Sequence, residues 1–174
     1  MDLSGITIET ENLILKSINL DFKDDIFKEF TPEITKYMFP KSPEKIEETI
    51  EFIAGAMKKN IEGEELQIII LDKAGREFIG CGGLHGTKTK TPELGIWIKK
   101  SAQGKKYGRE AMTAMKKWAD ENMDYDYILY PVVDKNIPSR KIPESLGGRA
   151  FREYEKTNLS GHKWNFLEYR IYPA

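Results

Sequence analysis

One stretch of about forty residues restricts the possible folds more than any other. "PELGIWIKK" (92–100) alternates as a strand, "YGREAMTAMKKWADEN" follows, and "YDYILYPVV" reads as a buried strand ending near Val133. In the middle segment Ala111, Met115, Trp118 and Ala119 fall on one helical stripe. Arg109, Glu110, Lys116, Lys117 and Asp120 lie outside that stripe, as in a helix packed on a sheet. A strand–helix–strand unit of this kind is a right-handed crossover that places its two strands parallel.

The flanking segments predict hairpins instead. "ITIETENLILKSI" predicts a first strand over roughly residues 6–18. "LQIIILD" (66–72) and "EFIGCGGLHG" (77–86) are separated by the short turn "KAGR" and should pair antiparallel. "RAFREYEKT" and "KWNFLEYRIY" alternate in period two and form a final antiparallel pair.

Two helices are expected before the hairpin. In "LDFKDDIFKEF", Phe22, Ile26, Phe27 and Phe30 keep helical spacing after Asp21 as cap. In "SPEKIEETIEFIAGAMKKN", Ser42 is the expected cap and Pro43 the first helical residue, with Ile46, Ile50, Ile53 and Met57 on one face. A short helix in "NIPSRKIPESLGG" should stop at Gly147 and Gly148. The expectation is one α+β domain over 1–174, with a largely antiparallel sheet of about seven strands, one parallel pair and about four flanking helices.

Charge excludes some functions. The 27 Lys and Arg offset 28 Asp and Glu, so the chain lacks the basic bias of a nucleic-acid coat. The single cysteine, Cys81, permits no intrachain disulfide and no Cys-rich zinc site, which suits a reducing cytoplasm. No metal is expected. The opening residues lack a signal-peptide pattern, and no apolar run approaches the ~20 residues that span a bilayer. Neither nucleic acid nor membrane is expected as a partner, and a homodimer is allowed but not required.

Any anion site must therefore be local. "KKSAQGKKYGR" (99–109) carries five basic residues and no acidic one, just where a strand hands over to a helix. Glycines at a helix N-terminus let several N–H groups converge on an anion. A solvated basic turn has the same composition, and the loop alone leaves both readings open. Neither common phosphate loop fits. Gly108 is followed by Arg109 and Glu110 rather than Lys and Ser/Thr, and the G-x-x-x-G spacing comes late, after antiparallel strands.

The order of elements together with this loop resembles the GNAT superfamily of acyl-CoA-dependent N-acetyltransferases, and within it the ribosomal-protein N-terminal acetyltransferase branch. The resemblance runs from "IETENLILKSI" through "ITKYMFP", "IGCGGLHG" and "ELGIWIKKSAQGKKYGREAM" to "VVDKNIPSRKIPESLGG". It implies acetyl-CoA as cosubstrate, held at its pyrophosphate by the loop Gln103, Gly104, Lys105, Lys106, Tyr107, Gly108 and Arg109. Lys106 stands where the family usually has Gly. The resemblance implies that Asn136 meets the pantetheine arm, and that Ile96, Trp97 and Ile98, in a strand often bulged, serve it by backbone. The family's usual tyrosine acid is replaced by Pro143, which makes Ser139 the implied proton donor to the thiolate. Pro143 cannot bond to the carbonyl four residues earlier, so the short helix should bend or open there.

The implied activity is direct transfer of acetyl to a primary amine, either a protein N-terminus or a small molecule. The alternative is a non-catalytic acyl-CoA-binding sensor or assembly module of the same fold. Amine attack needs a proton acceptor. Glu93 reads as that base or as a solvated strand-edge carboxylate, and His85 as a second candidate or a hydrogen-bonded loop histidine. Tyr37 and Phe39 read as an acceptor-site wall or as packing. Cys81 reads as a buried strand thiol and His162 as a surface residue in a hairpin turn.

Overall fold

In a computed structural model describing residues 1–174, eight strands form one sheet in the order β1-β2-β3-β4-β5-β6-β8-β7. The strands are β1 (Thr7–Glu9), β2 (Leu13–Ser17), β3 (Glu65–Asp72), β4 (Phe78–His85), β5 (Glu93–Ile98), β6 (Ile128–Val133), β7 (Arg149–Thr157) and β8 (Lys163–Ile171). The helices are α1 (Lys23–Glu29), α2 (Pro32–Thr35), α3 (Ile46–Glu62), α4 (Tyr107–Asn122) and α5 (Ile137–Ser145). All pairings are antiparallel except β5 with β6.

β3 shows why the sheet is a middle layer. Its apolar run is buried on both faces, as strands covered on two sides are. Ile68 and Ile70 pack with Met112 and Met115 of α4, whereas Ile69 and Leu71 pack with Ile26 of α1 and Ile53 of α3. Helix α5 lies on the α4 side, with Ile142 against that core.

Several expectations are corrected. The single first strand is two, because Thr10 to Asn12 turn the chain. Thr10 Oγ1 accepts from Leu13 N–H at 3.0 Å and donates to Glu110 at 2.6 Å, a clamp from a residue a hundred positions away. Asp21 is not a cap. Asn19 Oδ1 accepts from Asp21 N–H and starts a short 3-10 turn before α1. Helix α2 arises from Thr31, which caps, and Pro32 in the first turn. Ser42 and Pro43 lie ahead of α3, whose start is organised by Glu48 accepting from Glu44 and Lys45 N–H. Its buried face adds Thr49, Ala56 and Asn60 to Ile53. Lys116 was expected outside the α4 stripe. It is buried, because its stem covers the core and its ammonium meets Asp120 at 2.6 and 2.7 Å.

The parallel pair controls where a ligand can enter. β5 and β6 pair only at Glu93 and Leu129. Leu129 N–H donates to the Pro92 carbonyl at 2.8 Å. The next β5 acceptor in a parallel ladder, the Leu94 carbonyl, would need the N–H of residue 131. That residue is Pro131, which has none. The ladder stops there, and β5 and β6 diverge beyond it into a cleft.

Candidate functional site

The cleft opens into a cavity of about 550 Å³. Its wall includes Glu93, Ile96, Trp97, Asn136 and Ser139, together with Tyr37, Phe39 and His85. Residues from β4, β5, β6, α5 and the segment after α2 thus meet at one place.

β5 supplies the open backbone edge. Lys99 N–H donates to the Ile79 carbonyl, so the odd-numbered residues of β5 turn their backbone groups toward β4. Ile96 and Ile98 turn theirs toward the cleft. This corrects the expectation for Trp97, whose backbone faces β4. Its indole packs on Phe30 at 4.8 Å and Phe78 at 5.8 Å between ring centroids. β5 itself pairs with β4 without a bulge, and the irregularity falls instead between β3 and β4 at Ile70 and Leu71. The Ile98 carbonyl is already engaged by Gln103 Nε2 at 3.0 Å, which directs the Gln103 amide to the strand end rather than to a phosphate.

Beyond Gln103 the chain prepares an anion site. The six successive amides from Gly104 to Arg109 donate to no acceptor within the protein, and α4 begins without a side-chain cap. Gly104 (φ +82°) and Lys106 (φ +64°) both take left-handed conformations, which curl consecutive N–H groups toward one point. Lys106 does so at a cost, because its Cβ crowds the backbone there. Gly108 has a steric reason: a Cβ would lie 3.2 Å from Ile142 Cδ1. Tyr107 turns its ring to the core, with Lys105 Nζ 5.9 Å from the ring centre. Lys106 and Arg109 also line an open groove between β1 and α4. This set of free amides and cations fits a diphosphate such as coenzyme A carries.

On the α5 side, Asn136 starts the helix yet makes no side-chain capping bond, so its amide is free toward the cavity. The helix continues through Pro143 to Ser145. Ser139 Oγ lies 3.0 Å from the hydroxyl of Tyr130, a residue the sequence reading missed. Tyr130 is 2% exposed and has no other side-chain partner. Burial pushes its phenol up to about 12, with the Ser139 hydrogen bond opposing.

On the opposite wall, Glu93 makes no hydrogen bond or ion pair. Its surface is open to the cavity mouth, but the surrounding protein strips water from its carboxyl and raises its pKa above the usual range. His85 and Lys156 act against that rise, and Glu168 adds to it. His85 Nδ1 lies 3.2 Å from both Gln67 Nε2 and Glu65 Oε2, so the ring is anchored by its Nδ1 side. Tyr37 meets Trp164 edge-on at 5.0 Å, and Phe39 lies under Lys156 at 4.0 Å. Three bonds pin this segment to the β7–β8 hairpin: Trp164 Nε1 to the Lys36 carbonyl, Asn158 Nδ2 to Met38 and Leu159 N–H to Phe39.

Cys81 is buried beside the cavity, and burial pushes its thiol well up, which leaves it unreactive. His162 is exposed in the β7–β8 turn. No group of His, Cys, Asp and Glu is placed to hold a metal, and no helix is long and apolar enough to cross a membrane.

Residues 12–149 match the family model described as "Acetyltransferase (GNAT) domain". A GNAT-family acetyltransferase from Bacillus anthracis superposes with a TM-score of 0.80 at 20% identity, covering 97% of this chain and 99% of that one. Spermidine N-acetyltransferase from Vibrio cholerae, in complex with CoA and spermine, gives 0.82 at 18% identity over 94% and 97%. The Salmonella typhimurium acetyltransferase that modifies the N-terminal serine of ribosomal protein L7/L12 gives 0.83 at 14% identity over 96% and 99%. Among curated proteins, no sequence matches the chain.

Proposed function

The chain belongs to the GNAT acetyltransferase family, and from that premise we propose that it transfers acetyl from acetyl-CoA directly to a primary amine in the cleft beside β5. The observation that carries this reading is the parallel pair broken at Pro131, which leaves the Ile96 and Ile98 N–H groups free above a cavity holding Glu93 and Ser139.

Acetyl-CoA supplies an activated acetyl group as a thioester. The amides Gly104 to Arg109, with Lys105, Lys106 and Arg109, hold its pyrophosphate, and Asn136 meets the pantetheine arm. The backbone N–H of Ile96 faces the thioester oxygen, where a preorganised donor stabilises developing negative charge, and that of Ile98, one pleat further along the strand, meets the pantetheine arm. Glu93 accepts the proton that frees the amine lone pair, and its raised pKa brings it closer to the amine's own range. Ser139 gives a proton to the departing sulfur and regains one from solvent in the open cleft, and Tyr130 holds the Ser139 hydroxyl in place. Tyr37, Phe39 and His85 line the acceptor side. The lone buried cysteine suits a reducing compartment, and we place the reaction in the cytoplasm.

Single-turnover acetyl transfer by Ser139→Ala tests the assignment. Slower transfer with unchanged acetyl-CoA binding supports it, and unchanged transfer removes Ser139 from the mechanism. A purely binding module of the same fold would hold acetyl-CoA and release no thiol with any amine.

A further inference from the structure

The distribution of uncommitted charge in the cavity separates classes of amine. Five carboxylates lie in or near its wall. Glu44 is paired with Lys41 at 2.9 Å, and Glu48, held as an anion by two backbone N–H groups, has its charge offset by the neighbouring Lys41 and Lys45. Glu65 is held by Lys59 and by Gln67, both at 2.7 Å. Glu168 accepts from Arg152 through two nitrogens, at 3.1 and 3.0 Å. Glu93 alone has no partner. One free carboxylate matches one ammonium.

The rest of the acceptor side is aromatic. Phe30, Phe39, Phe52, Trp97 and Phe166 line it, and Phe52 stays 54% exposed on α3. A second or third ammonium of a polyamine would be set among rings with no free carboxylate to meet it, and an unpaired charge in such surroundings is disfavoured. An apolar body would instead be drawn from water. The ≈ 550 Å³ cavity also contains the thioester end at Ile96, Asn136 and Ser139, and its aromatic remainder suits a ring on a short arm better than the polar backbone of a peptide.

We infer that the acceptor is a small monoamine with an aromatic or similarly bulky apolar body, its ammonium held by Glu93 and its body among Phe30, Phe52, Trp97 and Phe166. This rests on the acetyltransferase reading of the same cavity. It differs in substrate class from the Vibrio cholerae neighbour, which was solved with spermine.

The test measures thiol release from acetyl-CoA by the full chain, with 2-phenylethylamine, spermidine and a short peptide bearing a free N-terminus as acceptors. The inference expects kcat/KM for 2-phenylethylamine at least about 100-fold above that for spermidine, the scale on which a buried apolar group discriminates. It also expects a higher value than for the peptide. Phe52→Asp, at an exposed helix position, should lower the 2-phenylethylamine value and raise the spermidine value. Equal or greater efficiency with spermidine or the peptide overturns the inference and leaves the acetyltransferase reading intact. Acetyl-CoA binding without transfer to any of the three also overturns it. Failure to bind acetyl-CoA at all would remove the underlying reading as well.

Discussion

The Tyr130 hydroxyl lies 3.0 Å from Ser139 Oγ, and Ser139 is its only side-chain partner. If Ser139 is to donate to a sulfur, its oxygen must accept from Tyr130, so this one bond fixes which way the serine proton points. Tyr130→Phe removes the hydroxyl without changing the ring. Loss of one such bond, about 1.4 kcal/mol in the transition state, slows turnover roughly tenfold. The KM for acetyl-CoA should stay unchanged. In the Ser139→Ala background the same change should have little further effect, which a double-mutant cycle on kcat would show.

Pro131 is the second point of leverage. Its missing N–H ends the β5–β6 ladder after Glu93 and Leu129. Pro131→Val supplies that donor to the Leu94 carbonyl and favours closure of the cleft. Acetyl-CoA affinity should fall by about tenfold or more, the worth of roughly 1.4 kcal/mol. Thermal stability without ligand should hold or rise. Calorimetric titration alongside melting curves checks both.

Lys106 occupies a left-handed position at the start of α4. Lys106→Gly relieves strain of about 1 kcal/mol, partly offset by the greater freedom of Gly in the unfolded chain. The variant should therefore be as stable as the parent or slightly more so in urea titration. Its ammonium is one of three cations near the free amides, so acetyl-CoA affinity should fall only about twofold to fivefold, and less at high salt. Gly104→Val has the opposite character. At φ +82° it strains the loop that gathers the amides and should reduce acetyl-CoA affinity by more than tenfold, about 1.4 kcal/mol or more.

Glu93 gives a pH dependence with a definite sign. Its folded-state pKa is raised, chiefly by desolvation. As a base it must be ionised, so kcat/KM should climb as pH rises through that raised value, and Glu93→Gln should abolish the climb. Folding carries the reverse sign. Because the folded pKa exceeds the unfolded one, folding is relatively favoured below the unfolded pKa and loses that contribution as pH rises through the folded value. Glu93→Gln should therefore melt higher than the parent near neutral pH, with the difference vanishing below about pH 4, where both states are protonated.

Much of the fold was legible in the chain's periodicity. Helix α4 runs over the residues its stripe and flanking Gly predicted, and the crossover correctly placed one parallel pair among hairpins. What failed were mostly features set by distant partners. The break between β1 and β2 depends on Glu110; the start of α3 was missed for a local reason instead, Glu48 reaching back three and four residues to the Lys45 and Glu44 N–H groups. In the site, residues near the glycine loop and β5 could be named because local geometry governs them. Trp97 was misassigned because the face of its backbone depends on the register with β4, which no local pattern fixes. Tyr130 was hidden in an apolar strand, although a hydroxyl beside the open end of a parallel pair was a signal available in "YILYPVV". The acceptor wall around Tyr37 and Phe39 is held by the β7–β8 hairpin more than a hundred residues away and carries no period to read.

The most direct test of the whole reading is the melting temperature with acetyl-CoA against adenosine 3′,5′-bisphosphate, which lacks the pyrophosphate and the pantetheine arm. At about a hundred times its Kd, a ligand bound only to the native state adds about 2.7 kcal/mol, or roughly 5–10 °C for a chain of this size. The predicted result is a shift of that order with acetyl-CoA, kept in Ser139→Ala, largely lost in Gly104→Val, and little shift with the bisphosphate. No shift with acetyl-CoA, or an equal shift with both ligands, would contradict a cofactor site built from the free amides of α4 and the open edge of β5.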